Sequence, residues 1–289
     1  GSQTCSALIG PTPSSGAAAS SCTIESSTEV RVVVGMSTGF GAADVAVAMS
    51  NPASVVVSTT GSALHVSASP TVSGVTPTVA YGLSTITVTG ANFLTTSQGQ
   101  VCLATVGSTP ASSCSVLSSS ELRVVVGSGS SAGAAFVRVV FNGGGSGATA
   151  ETSGAPLTVV GGATYGSLLP ASGYLGSTIT VVGSNFISSQ TCSAKVGSTP
   201  SSGAAAPACS ISSATEVVVV IGSGTAIGSA GVEVTFSNPS SVVISSPGTA
   251  LTIFGSPTLN SGVVPSTAYR SSTITLTGSN FITGGSQTC

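Results

Sequence analysis

Hydrophobic and polar residues alternate along short stretches of this chain and never over long ones. In "TITVTG" (85–90) Ile86 and Val88 fall on one face, with Thr85, Thr87 and Thr89 on the other. That is the period of two expected of a strand with one buried face. "LRVVVG" (122–127) and "AFVRVVF" (135–141) are further β-branched runs, bounded by Gly, Ser and Asn, and read as strands for the same reason. Helix is poorly supported because Gly, Ser, Thr and Val dominate. "GAAA" at 16–19 and 203–206 lies among Pro, Gly and Ser and reads as loop.

The strand pattern repeats. "STITVTGANF" (84–93), "STITVVGSNF" (177–186) and "STITLTGSNF" (272–281) align without gaps. So do "STEVRVVVG" (27–35), "SSELRVVVG" (119–127) and "ATEVVVVIG" (214–222). Cys5, Cys102, Cys192 and Cys289 share one phase, and "GSQTC" both opens the chain (1–5) and closes it (285–289). A period of about 90–97 residues exceeds helical and leucine-rich repeats and suits tandem all-β domains of about 100 residues. The predicted architecture is therefore all-β, a linear array of immunoglobulin-like β-sandwiches. Residues 68–160 and 161–255 make two whole units. Residues 1–67 read as the later part of a unit and residues 256–289 as the first part of one. Joined across copies, those two pieces complete a third.

The cysteines pair by position: Cys5 with Cys22, Cys102 with Cys114, Cys192 with Cys209. Each pair flanks a Gly/Pro/Ser loop between two strands, which brings the Cα atoms within disulfide reach. Closing a loop of about 15 residues stabilises by roughly 3 kcal/mol. Three such bridges place the chain in an oxidising, extracellular or cell-surface setting. Metal binding is disfavoured, since there is no C-x-x-C spacing and a single His. Cys289 has no downstream partner and is assigned to a linkage between copies.

Composition changes the picture of the surface. Charged residues make up 4% of the 289, the net charge is −2, and there are 38 Gly and no Trp. Ordinary domains carry about 25% charged residues; here Ser, Thr, Gly and Ala must face the solvent. The balance gives no long-range pull on nucleic acid or anionic membrane, and basic patches with interleaved aromatics are absent. No apolar run is long enough to span a bilayer. A near-neutral surface favours association, or is kept soluble by sugar. Every Asn fails the N-x-[ST] test, with Pro239 excluding Asn238, so any glycans are expected to be O-linked.

Catalytic groups are scarce. His65 is the only His, and its phase equivalents are Thr158 and Thr252, which marks a surface position. Asp44 is the only Asp. Glu29, Glu121 and Glu216 share one repeat position, read as a turn-side carboxylate accepting backbone N–H groups or pairing with Arg31 or Arg123. No acidic cluster suits calcium. "FNGGGSG" (141–147) lacks the Lys of a phosphate loop and is equivalent to "MSNPASV" (49–55) and to the loop around "SNPSS" (237–241); it reads as a hairpin-type loop. Phe93, Phe186 and Phe281 follow "GxN" in every unit and read as core aromatics. No enzyme, cofactor or metal centre is expected.

The unit resembles the IPT/TIG family of immunoglobulin-like domains. The likeness lies in "SPTVSGVTPTVAYGLSTITVTGANF" (69–93), "CLATVGSTPASSC" (102–114) and "ELRVVVG" (121–127), and it recurs in phase along essentially the whole chain. The resemblance implies an immunoglobulin-like sandwich used as a spacer or interaction module, with no catalytic residues. The expected function is a structural subunit of an extracellular fibre, with copies of itself or continuation of the same polypeptide as partner. In a continuous polypeptide the two "GSQTC" segments are one segment seen from neighbouring periods, and Cys289 bonds the next period's Cys22. In separate chains joined head to tail, Cys289 and Cys5 compete for that Cys22. The alternative function is an adhesin or receptor ectodomain, ranked second because the loops are short, Ser/Gly/Ala-rich and alike between units.

Overall fold

The computed structural model describes residues 3–282 except 13, 51–52, 62, 95–100, 143–146 and 240–241. Among them the elements are strands, apart from one 3-10 turn at Pro200–Ser202. The alternating β-branched runs dictate this, because each has an apolar face to bury and no helical period. "GAAA" departs from the loop expected. Ala17–Ala18 and Ala204–Ala205 are two-residue strands on Cys5–Gly10 and Cys192–Gly197, through pairs such as Leu8↔Ala18 and Lys195↔Ala205. Small side chains let this segment lie flat along a sheet edge.

The central unit is a sandwich. One sheet orders Ser113–Ser118, Glu121–Val125, Thr85–Ala91 and Thr71–Thr76. The other orders Thr109–Pro110, Val101–Val106, Val137–Asn142 and Ala148–Glu151. A small third sheet sets Val79–Ala80 parallel to Leu157–Val159. Between the faces Ile86, Val88, Leu122, Val124, Val139 and Phe141 are buried. The next unit repeats the plan with Ile179, Val181, Val217, Val219, Val234 and Phe236 at its core. The register is the same: Ile86 opposes Val124, and Ile179 opposes Val219.

The "GxNF" signature has a packing reason. Phe93 stacks on Phe141 and Phe186 on Phe236, with ring centroids 5.6 and 5.7 Å apart. Each ring lies over the glycine three residues before it. A Cβ on Gly90 would overlap the Thr71 carbonyl and the Phe93 ring, and one on Gly183 the Thr164 carbonyl and the Phe186 ring.

The two ends are built differently. At the head, Cys5–Gly10, Gly41–Ser50, Ala53–Ser58 and Leu64–Val66 form one sheet. The facing sheet has only Ser21–Ile24 and Val30–Val33. At the tail, Thr258–Val264 pairs with Thr275–Ser279 and, among the described residues, with no other strand. Disulfides Cys5–Cys22, Cys102–Cys114 and Cys192–Cys209 tie the two sheets of each unit, with Cα separations of 5.6, 5.5 and 5.6 Å. Cys289 lies outside the described residues.

Candidate functional site

Strand equivalence shows what the head lacks. Ser21–Ile24 and Val30–Val33 correspond to Ser113–Ser118 and Glu121–Val125. In the whole unit Glu121–Val125 is flanked on its far side by Thr85–Ala91 and then Thr71–Thr76. At the head, among the described residues, no strand pairs with that side of Val30–Val33, which is an open edge. The strands of matching sequence are Thr275–Ser279 and Thr258–Val264, at the other end of the chain.

The free edge opens a cleft of about 690 Å³ between the two head sheets. Ile24, Val30, Val45, Val47, Met49 and Val57 line it. Each is an inward position: Val30 is equivalent to buried Leu122, Val45 and Val47 to buried Val137 and Val139, and Met49 to Phe141. Val34 is 42% exposed, whereas its equivalents Val126 and Ile221 are fully buried. The tail carries the matching surplus. Ile274, Leu276 and Phe281 are 48%, 48% and 46% exposed, while Ile86, Val88 and Phe93 are at most 2%. Exposed apolar surface of this kind marks an interaction site. Both terminal regions thus present apolar side chains at positions that are buried in the whole units.

The titratable candidates are scattered. His65 is exposed, with Nδ1 3.3 Å from the Ser67 hydroxyl. Asp44 accepts from the Thr59 hydroxyl, which itself accepts the Val45 N–H. Thr152 and Ser246 accept the Val137 and Val232 N–H groups in the other units, so the hydroxyl, not the carboxylate, is the repeated feature. Arg31 pairs with Glu25 at 3.5 Å and not with Glu29. Across the hairpin Arg31 faces Thr23, which puts Glu25 on its diagonal. The Glu216 position takes part through its backbone carbonyl, which accepts from Ser212. Phe93 and Phe186 are core aromatics; Phe281 is the half-exposed third copy. Among the described residues no three His, Cys, Asp or Glu side chains converge as a metal site, and no helix is long and apolar enough to cross a membrane. Of the hairpin-type loop at 141–147, residues 143–146 lie outside the described residues.

The joint between whole units was hidden in the sequence. Tyr81 of the central unit is buried, and its hydroxyl donates to the Asn185 carbonyl of the next unit. Burial pushes the Tyr81 hydroxyl up to about 12, against a smaller downward pull from the Ile187 backbone N–H. Asn238 grips the same edge. Its side chain accepts the Thr85 N–H and donates to the Thr85 carbonyl, both at 2.8 Å, and its own carbonyl accepts the Ser84 hydroxyl. The in-phase tyrosines Tyr81, Tyr174 and Tyr269 were the available signal.

Two disulfide-stapled sandwiches flanked by two half-sandwiches define a tandem array of immunoglobulin-like domains of the extracellular type. Residues 70–158 match the IPT/TIG domain. The central unit is an IPT/TIG domain, and the unit after it repeats its strand order and register. The fold is similar to the full extracellular region of plexin A4, at 13% identity and a TM-score of 0.50. That match covers 92% of this chain and 27% of the plexin chain, so the chain spans about a quarter of that ectodomain's length. SGBP-B from a xyloglucan utilization locus in Bacteroides uniformis is also matched, at 15% identity and a TM-score of 0.27, over 64% of this chain and 50% of that one. No curated protein matches the sequence. Domains of this type are non-catalytic modules.

Proposed function

We propose that this chain is a structural subunit of an extracellular fibre, in which the tail half-unit of one copy completes the head half-unit of the next. The complementary exposure of Ile274, Leu276 and Phe281 at the tail and of the Val34 side of the cleft at the head carries this reading. The internal register dictates the fit. Ile274 would oppose Val32 as Ile86 opposes Val124, and Leu276 would oppose Val30 as Val88 opposes Leu122. Phe281 would pack on Met49 as Phe93 packs on Phe141. Burying each such side chain contributes about 1.5–3 kcal/mol, and the added strands satisfy an edge that otherwise invites aggregation. The contact is head to tail and does not close, so it extends in one direction. It serves a continuous polypeptide and separate chains equally. O-linked glycans on the Ser/Thr surface solubilise the fibre at the cell surface, and intact-mass measurement above the bare chain mass tests that part.

Electron microscopy of the purified chain tests the whole. Filaments with an axial repeat of about three domains are expected. Dispersed monomers with measurable glycan affinity would overturn the reading in favour of an adhesin.

A further inference from the structure

The joint from the central unit to the next is organised around one hydroxyl. Tyr81 donates to the Asn185 carbonyl and accepts the Ile187 N–H, and its ring lies 6.3 Å from that of Phe236. Asn185 is held ready for this. It sits in the left-handed region at φ 62°, and its side-chain amide donates to the Gly162 carbonyl at 3.1 Å. With the side chain anchored in its own unit, the backbone carbonyl faces the unit before.

The same set recurs one joint later. Tyr174 donates to the Asn280 carbonyl at 2.6 Å and accepts the Ile282 N–H at 3.1 Å. Asn280 has φ 64° and donates to the Ser256 carbonyl at 3.1 Å. Two occurrences in phase, with the same donor and acceptor, make this a built joint.

Each series has a third member without its counterpart. Asn92 has φ 61° and donates to the Ser69 carbonyl at 3.1 Å. It is as prepared as Asn185 and Asn280, yet among the described residues no donor reaches its carbonyl and no acceptor takes the Leu94 N–H. Tyr269 stands in phase with Tyr81 and Tyr174, and it is 91% exposed. We infer that Tyr269 of one copy docks onto the next copy, donating to its Asn92 carbonyl and accepting its Leu94 N–H. The inference rests on the tail-into-head reading. Tyr269 leads into the strand that fills the head cleft, and Asn92 belongs to the unit directly after that head. The joint between copies then has the geometry of the joints within a copy, and the fibre keeps one inter-unit angle throughout.

The test uses the full 289-residue chain as wild type, Tyr269→Phe and Tyr269→Ala, with self-association read by sedimentation and joint angles by electron microscopy. Tyr269→Phe removes the hydroxyl alone and is expected to weaken association roughly 2–10-fold. Tyr269→Ala also removes the ring and is expected to weaken it roughly 10–100-fold. Both should broaden the angle at every third joint and leave the other two unchanged. A photo-reactive benzoylphenylalanine at 269 should cross-link to the 92–94 segment of a neighbouring chain. Variant polymers as tight and as straight as wild type, or cross-links elsewhere, overturn the joint while leaving the fibre reading intact. Failure of the wild-type chain to polymerise overturns both.

Discussion

The whole units and the terminal half-units carry the same strand sequences in different surroundings. In the whole units "STITVTGANF" and "STITVVGSNF" are central strands whose inward Ile86, Val88, Phe93, Ile179, Val181 and Phe186 are buried. In the tail "STITLTGSNF" has one partner strand, and its Ile274, Leu276 and Phe281 are about half exposed. An isolated two-stranded hairpin is marginal in water. The sequence of the tail is that of a central strand, and its inward positions are the ones that are exposed.

The largest effects should come from asking one residue type to act in both places. Phe186→Ala removes a ring stacked on Phe236 and should destabilise its unit by about 3–5 kcal/mol, measured by thermal melting. Phe281→Ala should leave the melting of the two whole units unchanged and abolish polymer in sedimentation. A polymer unaffected by Phe281→Ala would break the equivalence. The glycines sharpen it. Gly183→Ala forces a Cβ onto the Thr164 carbonyl and the Phe186 ring, costing about 1–3 kcal/mol by denaturant unfolding of that unit.

Disulfide loss should separate the regions next. Each bridge contributes roughly 3 kcal/mol, but the whole units also hold their sheets together by closed cores. The head strands Ser21–Ile24 and Val30–Val33 pair only with each other and are joined to the facing sheet through Cys5–Cys22. Cys22→Ala should make residues 21–33 the first site of proteolysis, while Cys114→Ala lowers only the melting temperature of the central unit. Assembly of the copies should restore protection to 21–33.

The smallest effect is a titration. The raised Tyr81 value means that its share of joint stability is intact below the ordinary tyrosine value of 10.0 and is lost as pH rises through about 12. Absorbance at 295 nm should show a late-ionising tyrosine that Tyr81→Phe removes.

Much of this was legible in the sequence. Period-two alternation and the recurrence of "TITxxGxNF" reported strands and register, because burial on one face leaves no freedom to slip. The paired cysteines showed which loops cross between sheets. What was not legible depends on contacts that local alternation does not report. The Arg31 partner turned on a diagonal across a hairpin, with Glu25 taking the place expected of Glu29. The tyrosine joint turned on a left-handed Asn whose carbonyl serves a neighbour, and no local periodicity reports that. The two-residue strands within "GAAA" pair with the strand just before them and are too short to carry an alternation of their own.

The most direct measurement is disulfide trapping between tail and head. Thr275 stands where Thr87 does, and Thr87 opposes Arg123, the equivalent of Arg31. Full-length chains carrying Thr275→Cys with Arg31→Cys, in a Cys289→Ser background, should oxidise to a ladder of covalent multimers on a non-reducing gel. The one-residue-shifted pair, Thr275→Cys with Val32→Cys in the same Cys289→Ser background, should not, because Val32 points to the opposite face. Equal ladders from both pairs, or monomer alone from the first, would contradict completion of the head sandwich by the tail of another copy.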